Sequence, residues 1–202
     1  MTIRRRRQHT TRLSLRTRTR LRAVFKWSAY ALVMLVCFLA ETTPWFLPFR
    51  WKPLLLLPLI LSVAMFEKEL PAAVFGMTAG LFADMAMNTL DGFHGALFLF
   101  FGVAAALFVR HLVRARLVNL LLLTIAAALL EGLLVYFFRY RLWDIPQAEL
   151  LLSTQTFPAM ISTVAFAAPV YGVIRLIAAF FHREEDKGIE PVREELEMER
   201  TK

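Results

Sequence analysis

An all-α fold, a polytopic integral membrane bundle of about six transmembrane helices, is predicted by three observations. Hydrophobic residues make up 58% of the 202-residue chain, and its mean hydropathy of +0.54 is far above that of an ordinary soluble domain. The apolar residues gather into blocks instead of recurring with helical or strand period. Six of those blocks approach the roughly 20 residues that a helix needs to cross a bilayer.

In chain order the blocks run over 24–43, 51–66, 70–88, 93–112, 117–138 and 155–181. The first follows a basic head and holds the single cysteine, Cys37, so no disulfide can form within the chain. The second is short and carries Pro53 and Pro58, which predicts a tilted or irregular helix. The third contains Gly76, Gly80, Asp84 and Asn88, and the fourth contains the aromatic run F-L-F-F-G. The fifth has an internal acid, Glu131; the sixth is long, with Pro158 and Pro169 predicting a kink. Connections are brief, so neighbouring helices are expected to be antiparallel; the longest runs from Arg139 to about Thr154. Three regions follow: a head over 1–23, a transmembrane domain over 24–181 and a charged tail over 182–202.

The net charge of +8 comes almost wholly from the head, where residues 1–26 hold nine Arg and Lys26 with no acid. With the N-terminus cytoplasmic, the inner side also receives Lys68, Arg110, Arg114 and Arg116, against Arg50, Lys52, Arg139 and Arg141 outside. Six spans return the C-terminus to the cytoplasm, and Trp27, Trp45, Trp51 and Trp143 fall near predicted boundaries. The head is too poor in large apolar residues to build a core, so it is expected to be disordered beside the anionic inner leaflet. Nucleic-acid binding is disfavoured because no aromatics interleave its arginines. A cleaved secretory signal is disfavoured too, since no A-x-A-like site follows and five further apolar blocks do. In L-V-M-L-V-C, Val36 is too large for a lipidation site before Cys37. The tail, with eight acids and five bases from Arg183 to Lys202, reads as solvated charge that could form a short helix.

An acid at the bilayer centre costs about 2.5 kcal/mol or more, which makes Asp84 and Glu131 the residues to explain. Gly76, Gly80, Asp84 and Asn88 recur at intervals of four, placing neighbours on one side of a helix where small residues allow close approach. Asp84 lies about 6 Å from the expected outer end of its helix, and Glu131 about 21 Å from the inner start of its own. Glu41, Asp84, Asp91, His94 and Glu131 are therefore expected to converge toward the outer side. Asp91 is expected to cap the fourth helix, which begins near Gly92–Phe93. His94 then falls in its first turn, and pairing with Asp84 or Glu131 and exposure at headgroup level both stay open. No metal site is expected: His94 and His111 sit at opposite ends of the fourth block, and nothing matches H-E-x-x-H. Neither a G-x-S-x-G element nor a phosphate-cradling glycine loop is present, so neither a catalytic centre nor a bound cofactor is expected.

Across residues 54–140 the chain resembles the MreD family of rod-shape-determining membrane proteins. The resemblance rests on G-L-F-A-D at Gly80–Asp84, G-F-H-G at Gly92–Gly95, the closing R-H-L-V-R-A-R of the fourth block and the helix containing Glu131. The Arg-rich head lies outside it. It implies a non-enzymatic scaffold subunit of the cell-elongation machinery in the bacterial inner membrane. The implied partners are a bitopic MreC-type protein and, through it, the MreB filament, RodA and a class B penicillin-binding protein. Gly76, Gly80, Asp84, Asn88, Gly92, His94, Gly95 and Glu131 are then candidates for structural or partner contacts. MreD-like chains also resemble the six-helix substrate-binding subunits of energy-coupling-factor vitamin transporters. In that alternative the Phe-rich fourth helix and the outer polar groups would line a solute pocket. An enzyme is the third class, for which no nucleophile and base can be named.

Overall fold

The computed structural model describes residues 2–43, 53–87, 92–112, 115–141, 154 and 156–200, with backbone alone over 2–20, at 87 and over 139–141 and 182–200. Asn88, Asp91, Trp45, Trp51 and Trp143 lie outside the described residues. The elements are α1 (Thr2–Thr42), α2 (Leu56–Ala64), α3 (Glu69–Met87), α4 (Phe93–His111), α5 (Leu117–Val135), which continues into a π-helical segment (Tyr136–Arg141), and α6 (Phe157–Arg200).

Among the described residues, four helical stretches are long and apolar enough to cross a membrane: Leu21–Thr42, Phe93–His111, Leu117–Phe138 and Phe157–Phe181. The large apolar side chains they leave exposed, Leu32, Leu35, Phe100, Leu122, Leu133 and Leu176 among them, suit a lipid surface. The second block departs most from expectation. Its helix, α2, has nine residues and rises only about 14 Å, half the hydrocarbon thickness. Pro53 and the polar Glu67–Lys68 turn bound it. The Met65, Phe66 and Glu67 amides close its C-terminal end onto the Leu61, Ser62 and Val63 carbonyls.

The head differs from expectation: α1 starts at Thr2, so the segment expected to be disordered is helical, while α6 carries the charged tail, for which a short helix was expected, in helical form to Arg200. Once an apolar span has nucleated a helix, each further residue adds a hydrogen bond for little additional entropy, and Arg and Glu are good helix formers. The same cooperativity carries α6 through Pro169 without interruption.

Two compact units make up the chain. The first comprises Met1–Leu32 and Leu176–Lys202; in it Tyr30 is fully buried, packs edge-on against Trp27 and lies under Lys26 Nζ at 6.0 Å from the ring centroid. The second, Val33–Arg175, is organised around α2, whose nine residues are all buried and which touches α3, α4 and α5. A helix apolar on every side is stable only with neighbours on every side, and α2 has them. Thr163 of α6 accepts the Leu54 N–H at 2.9 Å before its first turn, and Phe66 beyond its last turn stacks on Tyr171 of α6.

Helices α3 and α4 form the most extensive pair and run antiparallel. A methyl group at Gly76 would strike the Phe98 carbonyl, at Gly80 the His94 carbonyl, and at Gly102 of α4 the Ala72 carbonyl. Glycine is required at these three places because backbone lies directly against backbone. Near Arg110, at the far end of the pair, the guanidinium bonds Glu69 in the first turn of α3.

Candidate functional site

Helix α4 begins without a cap of its own. Its N-cap is Gly92, which is left-handed at φ 94° and carries no side chain to accept a hydrogen bond from the first turn. The cap comes instead from α3. Asp84 Oδ2 accepts the N–H groups of Gly92 at 3.0 Å and Gly95 at 3.2 Å, while Oδ1 accepts the His94 N–H at 3.1 Å and faces His94 Nδ1 at 2.7 Å. The carboxylate thus meets four donors at the positive end of a helix, which offsets the cost of burying a residue only 3% exposed. Asp91, the cap expected from sequence, lies outside the described residues; among those described, the side chain that serves the first turn of α4 is Asp84.

His94 is 1% exposed, which decides between the two readings left open for it. Because an ionised Asp84 can only accept, Nδ1 carries the proton between them. The opposite ring nitrogen, Nε2, has no hydrogen-bond partner and faces Glu131 Oε1 of α5 at 3.6 Å. The ring is clamped by Phe93 and Phe98, both edge-on. Gly132, next to Glu131, lets the Met160 side chain of α6 press against α5.

Glu41 was expected to join this cluster by depth alone; its task was not legible. The structure buries it at the end of α1, where Oε1 accepts the Leu56 N–H at 2.8 Å and caps α2, whose own N-cap Leu55 offers no side-chain bond. It lies within electrostatic range of His94 and Glu131. The signal available in sequence was a negative one: P-L-L-L before an apolar helix contains no Ser, Thr, Asp or Asn to cap it. Two buried carboxylates therefore do the same work, each capping a helix from a preceding one.

Of the eight candidate residues, seven fall in described segments and form one assembly. Gly76 and Gly80 set the α3–α4 approach, Asp84, Gly92, His94 and Gly95 form the cap, and Glu131 faces the histidine. The run F-L-F-F-G divides between core and surface, with Phe98 and Phe101 buried and Leu99 and Phe100 exposed. Among the described residues no group of three His, Cys, Asp or Glu side chains is arranged to hold a metal ion.

Fold and site together define an all-helical protein of membrane type whose buried acids join helices. Compared with known proteins, the chain matches no family model, no curated protein and no solved structure.

Proposed function

We propose that the protein is a non-enzymatic scaffold subunit of the bacterial cell-elongation complex, of the MreD type. It would sit in the inner membrane with both termini cytoplasmic and join an MreC-type bitopic protein to the MreB filament, RodA and a class B penicillin-binding protein. One observation carries this reading: G-L-F-A-D and G-F-H-G, the two short elements on which the resemblance rests, meet in space through Asp84. Their residues are spent on joining helices, which is what a scaffold requires of its polar groups. Phe98 and Phe101 are buried and stack on each other, which argues against the vitamin-transporter alternative, since that needs those rings around an open pocket.

Six crossings fit this reading, with α2 as the irregular one. It starts beside Glu41 near the Asp84 cluster, and the chain beyond it reaches Phe66, which stacks on Tyr171; the Tyr171 hydroxyl donates to the Ala115 carbonyl in the α4–α5 turn. In this reading the chain would cross here with half a span of helix, and α3, 19 residues long, would make the further crossing.

Depletion in the bacterial host tests the proposal. Rods are expected to round or widen and elongation-complex foci to disperse; normal rods with a vitamin-uptake defect would overturn it in favour of transport.

A further inference from the structure

We propose that His94 and Glu131 form a proton-binding site whose proton latches α5 to α4. Its ligand is a single proton, held on Nε2 of an imidazole already tied through Nδ1–H to Asp84. Geometry carries the inference. With no proton between them, the Nε2 lone pair would face a carboxylate oxygen at 3.6 Å in a buried site, lone pair against negative charge. With Nε2 protonated, the ring becomes a cation between Asp84 and Glu131 and attracts both.

The groups facing the ring among the described residues are Asp84 from α3, Glu131 from α5 and, within electrostatic range, Glu41 from α1. Two of these acids, Asp84 and Glu131, face opposite nitrogens of the ring, so a cation at His94 is attracted from both sides. Asp84 remains satisfied in either state, because three backbone amides hold it. Among the described residues no backbone amide bonds the Glu131 carboxylate, so we assign its hold on α4 to the proton. Its side chain is 14% exposed against 2% for His94, which makes Glu131 the side from which the proton exchanges with solvent.

The consequence falls on α5. This helix touches α4 sparsely compared with the broad α3–α4 contact, so the His94–Glu131 pair is a large share of what joins them. Five residues beyond Glu131 the helix widens into the π-helical segment Tyr136–Arg141, a rare geometry that recurs at functional sites. When Nε2–H gives its proton to a solvent base, neutral imidazole and ionised Glu131 remain, the attraction is lost, and the end of α5 moves away from α4.

The test uses the 202-residue protein in lipid nanodiscs, with ¹⁵N-labelled histidine observed over about pH 5 to 9, which contains the range of about pH 5 to 8 where imidazoles ordinarily titrate. His111, exposed on the same helix, supplies the reference signal. His94 is expected to carry both ring protons at the acidic end and to lose the one on Nε2 as the pH rises. In Glu131→Gln the ratio of doubly to singly protonated His94 at a given pH should fall by roughly tenfold or more, as an opposite charge within reach implies. Spin labels at Ala96 and Leu133, on a Cys37→Ala background, should separate as His94 deprotonates in the otherwise unaltered protein and stay fixed in Glu131→Gln. A His94 signal that is the same in both proteins, or a label separation that does not change while His94 titrates, overturns the proposal. Should Glu131→Gln not fold, Glu131→Asp keeps the carboxylate on a shorter side chain, and the pH series on the unaltered protein decides alone.

Discussion

Asp84 illustrates how a membrane chain can afford a buried carboxylate. Its four donors belong to another helix, so removing the side chain strands the first turn of α4 and the His94 ring together. Asp84→Ala is expected to cost about 3–5 kcal/mol, the range for breaking a buried charged pair, read as loss of thermal stability in detergent. Asp84→Asn should fall between Ala and the parent, because its amide keeps one accepting oxygen but turns a donor toward backbone N–H groups. Asp84→Leu should be worse than Asp84→Asn; equal stability of the two would remove the capping role. Gly92 is required for a different reason. Open space surrounds the place a methyl group would occupy, yet φ is 94°, so Gly92→Ala should cost about 1–2 kcal/mol through backbone strain alone.

Among the helices, the α3–α4 pair is locked at both ends by different chemistry. Between the ends, Gly80→Ala would place its methyl group on the His94 carbonyl and Gly95, where neither backbone can yield cheaply. It should destabilise more than Gly92→Ala, and a milder effect would mean that the helices can slide apart. At the Glu69 end, the hydrogen bond and charge of Arg110 hold the Glu69 carboxyl below its ordinary value of 4.5. A lowered value in the folded state means that the contribution is present above about pH 4.5 and fades as the pH falls through the lowered value. The pair lies at the surface, with Arg110 exposed and Glu69 half-buried, so the effect is small. Acidification should reduce the stability difference between the parent and Arg110→Ala, measured by thermal unfolding at each pH; a difference that grows on acidification would contradict the pairing.

For the molecule as a whole, the scaffold reading predicts how the site affects assembly. Asp84→Ala and Glu131→Ala should weaken co-purification with an MreC-type partner or lower the protein's abundance. Unaltered complex and abundance in both variants would rule out a structural role for the pair. The same readout separates the proton latch from the scaffold proposal. A latch without elongation defects would leave the chemistry of His94 intact and the biological assignment wrong, and the converse pattern would do the opposite.

Helix type and position were legible because hydrophobic blocks of membrane length have few alternatives. The expected 70–88, 93–112 and 117–138 became Glu69–Met87, Phe93–His111 and Leu117–Val135 with its π-helical extension. The spacing of Gly76, Gly80 and Asp84 marked the packed face, and helix depth placed Glu41, Asp84, His94 and Glu131 toward one end. Which carboxylate caps which helix was not legible, because capping was read from neighbours in the chain, whereas Asp84 and Glu41 cap helices that start 9 and 15 residues later. Nor did composition reveal that α2 stops at nine residues, since an apolar run looks alike whether it spans a membrane or fills a core. Local pattern thus established that this chain is helical, strongly apolar and marked by a few buried acids. Tertiary packing decided what those acids do, because a hydrogen bond depends on the position of its partner in space and the sequence records only the order along the chain.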